Sequence, residues 1–155
     1  NSTFDAIGGD ITLTDSSNDF KDITITNGSI VSIRDTNAIS LISSNTSDDL
    51  VIQAGGNISL VGDVTTTTYV SSTSADVTFI GNVRLDTVAV GGTVTIDTSL
   101  SDGVVTFEND INNIGSTEPR NNLEIITGNG NVDFRGDIGT TSTDPRNIGS
   151  LVIKK

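Results

Sequence analysis

Carboxylates beside an arginine are the residues of this chain that could cleave an acidic polysaccharide. Two groups are candidates: Asp133 and Asp137 with Arg135, and the acid pair Asp97 with Asp102. Cleavage of a sugar polymer needs several carboxylates gathered around one bond, where they act as acid and base. The outward positions expected beside Asp133 hold no second acid: Thr24, Val51, Thr78 and Thr106. We therefore predict no catalytic residues and no enzyme activity.

Oxygen ligands for calcium are the second chemical possibility. The acids that could supply them are Asp48, Asp49, Asp102, Glu108 and Asp110. Calcium takes about six to eight oxygen ligands, which proteins usually provide from one compact loop. The chain contains neither a Gly-Gly-x-Gly-x-Asp repeat nor an EF-hand loop. The sequence therefore predicts an incidental calcium site at most and no cofactor.

The residue types that are missing exclude most other site chemistry. The chain has 155 residues and no His, Cys, Met or Trp. Without His there is no Ser-His-Asp triad, and without Cys there is no disulfide, thiolate nucleophile or iron–sulfur cluster. The formal net charge of −12 argues against binding to nucleic acid. No apolar run is long enough to insert this segment into a membrane.

The apolar residues lie in short alternating runs that are typical of β-strands. Ile and Val together number 33, and β-branched residues favour strands. Two apolar residues separated by one other residue indicate a strand with one buried face. This pattern begins at Ile11, Ile23, Ile39, Leu50, Ile58, Val77, Val94, Leu123, Val132 and Leu151. We find no helical stripe and predict an all-β protein.

These runs recur in three series with a period of about 28 residues, which lies in the range of repeat proteins. The first series begins at Ile11, Ile39, about Thr67, Val94, Leu123 and Leu151. The second series begins at Ile23, Leu50, Val77, Val105 and Val132. The third series begins at Ile30, Ile58, Val83, Ile111 and Ile138. The clearest copies are the phrases 76–83, 104–111 and 131–138, each with a Val-x-Phe or equivalent core.

A repeat of this length with three short strands favours a right-handed parallel β-helix. We expect about 28 residues per coil and about five to six coils, with residues 1–155 forming a single segment. Equivalent inward residues then stack on one another, which predicts a core stack of Phe79, Phe107 and Phe134. The alternative is an antiparallel β-sandwich, which would not predict Val-x-Phe phrases that recur at a regular interval.

Two similar loops are candidates for contacts with other molecules. They contain Glu118, Pro119 and Arg120 in one copy, and Asp144, Pro145 and Arg146 in the other. In a β-helix they would lie on adjacent coils at one corner. One interpretation is a contact site for a receptor or neighbouring rod. The other is a rigid turn in which acid–Arg pairs join the coils, each contributing about 0–1 kcal/mol.

The phrase 131–139, followed by a polar loop and the run 148–153, resembles the repeats of large bacterial surface proteins. These are the filamentous-haemagglutinin-like and autotransporter-passenger β-helix adhesins. The resemblance is clearest over residues 76–155 and depends on spacing alone over 1–75. It implies export across an outer membrane, display as a long rod, and adhesion or matrix building. We accordingly expect an extracellular or cell-surface location.

Three hypotheses for function follow from these patterns. The first is a structural segment, a stalk or fibre within an adhesin-like protein, and we expect the chain to be a slice of a longer repeat protein without caps of its own. Its partners would be neighbouring coils or end-to-end copies. The second is binding of host or neighbour-cell glycans or proteins through the loops around Arg120 and Arg146. The third, which the sparse acids disfavour, is a polysaccharide-acting enzyme.

Overall fold

A computed structural model describes residues 1–66, 75–87, 89, 91–113, 119–139 and 147–155. The described residues form fourteen β-strands and contain no helix, which confirms the all-β prediction for this part of the chain. The strands are β1 (Ser2–Asp5), β2 (Ile11–Leu13), β3 (Asp22–Asn27), β4 (Val31–Asp35), β5 (Ile39–Thr46), β6 (Leu50–Leu60), β7 (Val64–Thr66), β8 (Val77–Leu85), β9 (Thr93–Asp97), β10 (Val105–Phe107), β11 (Ile111–Asn113), β12 (Asn122–Ile126), β13 (Val132–Phe134) and β14 (Leu151–Lys154).

Alternation along each strand decides which side chains enter the core. In β8 the side chains of Val77 and Phe79 are fully buried, whereas Thr78 between them is partly exposed. Successive side chains of a strand point to opposite faces, so each apolar-x-apolar run places two residues inward and one outward. The inward residues of nearly all the strands form one continuous hydrophobic core.

All the strands belong to one sheet, and every pairing between them is parallel. The sheet curls through 291°, so its inward face encloses the core. Parallel neighbours cannot be joined by tight hairpins, because the chain must return to the same end of the sheet before it pairs again. This arrangement is solenoid-like, and it excludes the antiparallel sandwich for the described residues.

From β6 onward most of the pairing follows the repeat seen in the sequence; β7 departs from it, since Val64 pairs with Ile96, 32 positions later. Leu50 pairs with Val77, Val77 with Val105, and Val105 with Val132, at steps of 27, 28 and 27 positions. The same part of the chain contains two further ladders. They run through Ile58, Val83, Ile111 and Ile138, and through Val94, Leu123 and Leu151. The predicted alignment of these residues is confirmed.

Before β6 the predicted alignment is wrong. Ile11 pairs with Val31, 20 positions later, and not with Ile39. Ile23 pairs with Leu41, 18 positions later, and not with Leu50. The turns are shorter here: β3 pairs with β5, and β5 pairs with both β6 and β7, at steps of 18 to 20 positions. Ile30, assigned to the third series, is 44% exposed and starts no strand. The predicted run near Thr67 lies outside the described residues.

Candidate functional site

Aspartate side chains link one strand to the next along the sheet. Asp76 is the clearest case, because both its backbone and its carboxylate take part. Its backbone N–H donates to Asp49 Oδ1 at 2.8 Å, and its carbonyl oxygen accepts the N–H of Leu50 at 2.8 Å. Its own Oδ1 accepts the N–H of Val104 on the following turn, also at 2.8 Å. One residue thus connects three successive turns of the chain.

The same kind of link recurs at other positions along the sheet. Asp110 Oδ1 accepts the N–H of Asp137 at 2.9 Å, and Asp63 Oδ1 accepts the N–H of Thr95 at 2.8 Å. A longer copy joins Asp10 to the N–H of Ile30 at 3.1 Å. Each of these aspartates directly precedes the first inward residue of a strand, and each acceptor is charged, which strengthens the hydrogen bond. We call these contacts the aspartate links.

The acids considered for calcium do not gather at one place. Asp49 and Asp110 belong to aspartate links, and Asp48 Oδ1 accepts the N–H of Asp49 at 3.0 Å. Glu108 pairs with an arginine, while Asp102 lies in a turn and accepts a hydrogen bond from Asn129 in another turn. Within the described ranges no group of three or more metal-ligating side chains is present. Three of the five acids, Asp49, Asp102 and Asp110, therefore accept a backbone N–H from the next turn of the chain.

Asp102 combines an unusual backbone conformation with two hydrogen bonds from a single residue, Asn129. It has φ of +53°, which L-residues other than Asn and Asp rarely adopt. Its Oδ1 accepts the backbone N–H of Asn129 at 2.8 Å, and its Oδ2 accepts the Asn129 side-chain amide at 3.1 Å. The backbone hydrogen bond, followed by the side-chain one, lowers the pKa of Asp102. The carboxylate therefore joins its own turn to the equivalent turn of the next repeat.

Arg135 connects the two acids nearest to it. Its Nη1 lies 2.6 Å from Glu108 Oε1, and its Nε lies 2.8 Å from Asp133 Oδ2. Hydrogen bonding to Asp133 and then to Glu108 raises the pKa of the arginine. The predicted grouping of Asp133 with Arg135 is present, whereas the backbone N–H of Asp137 bonds to Asp110. The arginine therefore ties two outward side chains together across neighbouring strands.

Asp97 and Asp102, the second candidate pair for sugar cleavage, also accept hydrogen bonds from other residues of the chain. Asp97 Oδ1 accepts hydrogen bonds from the N–H and the Oγ–H of Ser99, at 2.9 and 2.6 Å. Asp102 is directed to Asn129, as described above. The described geometry directs these two carboxylates to separate local donors, whereas a glycosidase mechanism requires a pair on either side of a common bond.

The three predicted phenylalanines lie in one column. The ring centroids of Phe79 and Phe107 are 5.4 Å apart, and those of Phe107 and Phe134 are also 5.4 Å apart. The ring planes are inclined by 26° and 9°, so both pairs are stacked. Phe79 and Phe107 are fully buried, whereas Phe134 is partly buried against the core. Stacking of this kind adds to the stability that burial of the rings provides.

Part of the first Pro-Arg loop is described, and it packs closely against its neighbours. Pro119 is exposed and lies so near Gly91 that a Cβ added there would be 2.9 Å from the proline Cγ. Arg120 is partly buried, and its carbonyl oxygen would lie 2.6 Å from a Cβ on Gly149. The described part of this corner therefore packs closely against the segments that contain Gly91 and Gly149. Glu118, Asp144, Pro145 and Arg146 lie outside the described residues.

Asn121, which the sequence analysis did not single out, holds this corner from inside. It is only 5% exposed. Its Nδ2 donates to the carbonyl of Leu85 at 2.9 Å, and its Oδ1 accepts the hydroxyl of Thr87 at 2.8 Å and the N–H of Gly91 at 3.2 Å. The recurrence of Asn after both Pro-Arg pairs, at positions 121 and 147, is the signal that could have identified it.

Asp35 is a second buried polar residue that sequence reasoning missed. It is 2% exposed, and its Oδ1 accepts the N–H of Asn37 at 2.7 Å. Its Oδ2 accepts the N–H of Phe20 at 2.5 Å. A buried carboxylate costs stability unless it is hydrogen-bonded, and here backbone donors from two loops satisfy both oxygens. Asp35 therefore joins the segment that follows β4 to the segment that precedes β3.

The fold and the aspartate links define this chain as an all-β protein with a parallel, solenoid-like sheet. Searches against protein families, curated proteins and solved structures find no match for the chain. No helix in the described ranges is long and apolar enough to cross a membrane.

Proposed function

We propose that this chain is a structural element: a right-handed parallel β-helix segment that acts as a stalk or fibre. The coils would contain about 28 residues and three short strands from β6 onward, and about 20 residues before it, both within the range of solenoid repeats. The steps of 27, 28 and 27 positions in the ladder from Leu50 to Val132 support the longer coils. The step of 20 positions from Ile11 to Val31 supports the shorter ones.

The observation that carries this proposal is the position of the aspartate links. A binding or catalytic surface directs its carboxylates toward a ligand, whereas Asp49, Asp76 and Asp110 direct theirs along the sheet to backbone N–H groups of the next turn. The links at Asp49 and Asp76 follow one another, so adjacent turns are joined by side-chain as well as backbone hydrogen bonds. Such cross-links resist separation of the turns, which is what a stalk requires.

The proposed setting is the bacterial cell surface or the extracellular space, as part of an adhesin-like protein. The support is the resemblance of 131–139 and 148–153 to the repeats of large surface adhesins. The composition agrees with that setting, because a chain without Cys forms no disulfides during export. The net charge of −12 would keep an exposed rod soluble.

Mechanical unfolding tests the stalk directly. With handles at residues 1 and 155, a stack of coils should lengthen in successive steps, each releasing one coil. A coil of about 28 residues corresponds to about 90–100 Å of extended chain. A single event that releases the whole chain at low force, with no intermediate steps, would contradict the proposal.

A glycan array run on the same protein separates the stalk from the binding hypothesis. The stalk proposal predicts no saturable binding to any glycan. Saturable binding that Arg120→Gln abolishes and Arg34→Gln leaves intact would overturn it in favour of the Pro-Arg corner. Arg34 is a suitable control because it is exposed and lies on β4, far along the chain from that corner.

A further inference from the structure

The two Asn-Gly pairs of the chain, which begin at Asn27 and Asn129, lie in the same kind of contact. The side-chain amide of Asn27 donates to Asp5 Oδ1 at 2.9 Å. The side-chain amide of Asn129 donates to Asp102 Oδ2 at 3.1 Å. In both cases the aspartate belongs to a neighbouring turn. Each contact depends on the asparagine being an amide, because a carboxylate in its place would have no hydrogen to donate.

An asparagine that precedes a glycine can react with its own backbone. The backbone nitrogen of the glycine attacks the side-chain carbon Cγ, the bond between Cγ and Nδ2 breaks, and ammonia leaves with the proton of the backbone amide. The product is a five-membered succinimide ring. Water opens this ring at either carbonyl and gives aspartate or isoaspartate, with no oxidation or reduction. Glycine favours ring closure because it has no Cβ and adopts many backbone conformations.

Asn129 is the more accessible of the two sites. It is exposed and lies in the turn between β12 and β13, where the N–H of Gly130 donates to the carbonyl of Thr127 at 2.9 Å. Asn27 is partly buried at the end of β3, and its carbonyl oxygen accepts the N–H of Ala6 at 2.9 Å. Ring closure needs only one turn to open at Asn129, whereas at Asn27 it needs a strand end to separate. We therefore expect Asn129 to react first.

Conversion of Asn129 would remove its contact with Asp102. A carboxylate oxygen would replace Nδ2, which now lies 3.1 Å from Asp102 Oδ2. Two carboxylates this close repel each other. The two turns are already packed tightly, since a Cβ on Gly130 would collide with the carbonyl oxygen of Gly103. The isoaspartate product also adds one carbon to the backbone of this turn, so both products favour separation of the turns.

We propose that Asn129 is a deamidation site, and that its conversion disconnects the turn that follows β12 from the turn that follows β9. Water is the only other reactant. The modification weakens one connection between successive repeats, while the parallel pairing of β9 with β12 remains. This inference does not depend on the proposed stalk, because the contact between Asn129 and Asp102 belongs to the fold itself.

Peptide mass spectrometry tests whether the site reacts in the folded protein. The intact chain is incubated at mildly alkaline pH, digested, and compared with the same chain unfolded in urea. We expect aspartate and isoaspartate at position 129 in the folded chain, formed before any product at position 27. The unfolded chain should convert both sites at similar rates. An Asn129 that stays intact in the folded chain while the unfolded chain converts fully would overturn the proposal, as would faster conversion of Asn27.

Asn129→Asp reproduces one product and tests its effect on the turns. We expect its unfolding equilibrium constant to rise by about tenfold or more, because a hydrogen bond to a charged group is replaced by repulsion. Asn131→Asp is the matched control. It adds the same charge to the same turn at another exposed position, whose side chain forms no hydrogen bond among the described contacts. This control should change the constant by less than about threefold.

An exchange of the two side chains completes the test. Asp102→Asn combined with Asn129→Asp restores one amide donor and one carboxylate acceptor, and asparagine also tolerates the positive φ at position 102. The double variant should therefore regain most of the stability that Asn129→Asp loses. Equal effects of Asn129→Asp and Asn131→Asp, or no recovery in the double variant, would contradict the proposed disconnection. None of these outcomes alters the mechanical steps that test the stalk.

Discussion

Asp76 accepts, through its carboxylate, the backbone N–H of Val104 at 2.8 Å, one turn further along the sheet. The backbone of the same residue is hydrogen-bonded to the turn before it. A parallel ladder already pairs backbone groups within the strands, but a strand begins with donors that have no partner in the ladder. The aspartate supplies the acceptor at that point. Part of the acidity of this chain is thereby used in joining turns.

Removing this link should destabilise the chain. Asp76→Ala leaves the partly buried N–H of Val104 without its acceptor, so we expect a loss of about 1–3 kcal/mol in the free energy of unfolding. Urea denaturation followed by circular dichroism measures the change.

Asp22→Ala is the matched control for this experiment. Asp22 also directly precedes an inward residue, Ile23, and is likewise partly buried, but the described contacts give its carboxylate no hydrogen bond. Its replacement should change the stability by less than about 0.5 kcal/mol. Equal effects of the two substitutions would show that the link contributes nothing.

The phenylalanine stack predicts that removing the middle ring destabilises the fold more than removing the ring at its end. Phe107 is fully buried between two rings, so Phe107→Ala should cost about 3–5 kcal/mol. Phe134 has one stacked neighbour and is partly exposed, so Phe134→Ala should cost about 1–2 kcal/mol. Thermal or urea unfolding of the two variants gives both values. A larger loss for Phe134 than for Phe107 would mean that the order of the column is wrong.

Substitutions at two glycines distinguish the free-energy cost of an unfavourable backbone conformation from the free-energy cost of steric crowding. Gly8 and Gly128 have φ of +69° and +59°, but a Cβ on Gly8 meets nothing within 4 Å. A Cβ on Gly128 would collide with Asp102 Oδ1 and lie 2.9 Å from the carbonyl oxygen of Ser99. Gly8→Ala should cost about 1–2 kcal/mol from its backbone alone. Gly128→Ala should cost about 1–3 kcal/mol more, because the turn must also shift. Similar unfolding free energies for the two variants would argue against close stacking of these turns.

The pKa of Asp102 predicts how stability depends on acid. Hydrogen bonds from the backbone and then the side chain of Asn129 lower this pKa in the folded chain. A carboxyl with a lowered folded pKa stabilises the fold above its unfolded pKa of about 3.9, and the effect is lost as the pH falls through the folded pKa. Stability measured from pH 7 to pH 2 should therefore fall more steeply below about pH 4 in the wild type than in Asp102→Asn. Asparagine is a suitable replacement, since it also tolerates positive φ. Parallel curves would contradict the prediction.

The later half of the fold could be predicted from sequence because its phrases are nearly identical. Val77, Val105 and Val132 each begin a Val-x-Phe run, and their pairing follows the predicted spacing. Ile11 and Ile39 are separated by a similar interval, but only because apolar-x-apolar runs are frequent in this chain. The strand partner of Ile11 is Val31. Val31 begins a run that a fixed period of about 28 residues does not predict.

The aspartate links could not be predicted from residue type alone. Whether a carboxylate meets a metal, a ligand or a backbone N–H depends on the register of neighbouring strands, which is known only when the strands are placed. One local signal was present: aspartate directly precedes the first inward residue at positions 10, 22, 49, 63, 76, 110 and 137, although the carboxylate of Asp22 forms no such link among the described contacts. The buried roles of Asp35 and Asn121 depend on loop geometry, for which the sequence offered only the repeated Pro-Arg-Asn.

Disulfide trapping tests the central claim, that successive Val-x-Phe phrases stack one turn apart in parallel register. The chain has no Cys, so any bridge that forms comes from the introduced pair. Thr78 and Thr106 are direct partners on β8 and β10, and Asp133 is the partner of Thr106 on β13. Adjacent strands lie about 4.8 Å apart, which a disulfide spans, whereas two strand spacings exceed its limit of about 7 Å. Under mild oxidation, Thr78→Cys with Thr106→Cys should form a bridge, seen by mass spectrometry, and Thr78→Cys with Asp133→Cys should not. Preferential bridging of the second pair would contradict the stacked arrangement.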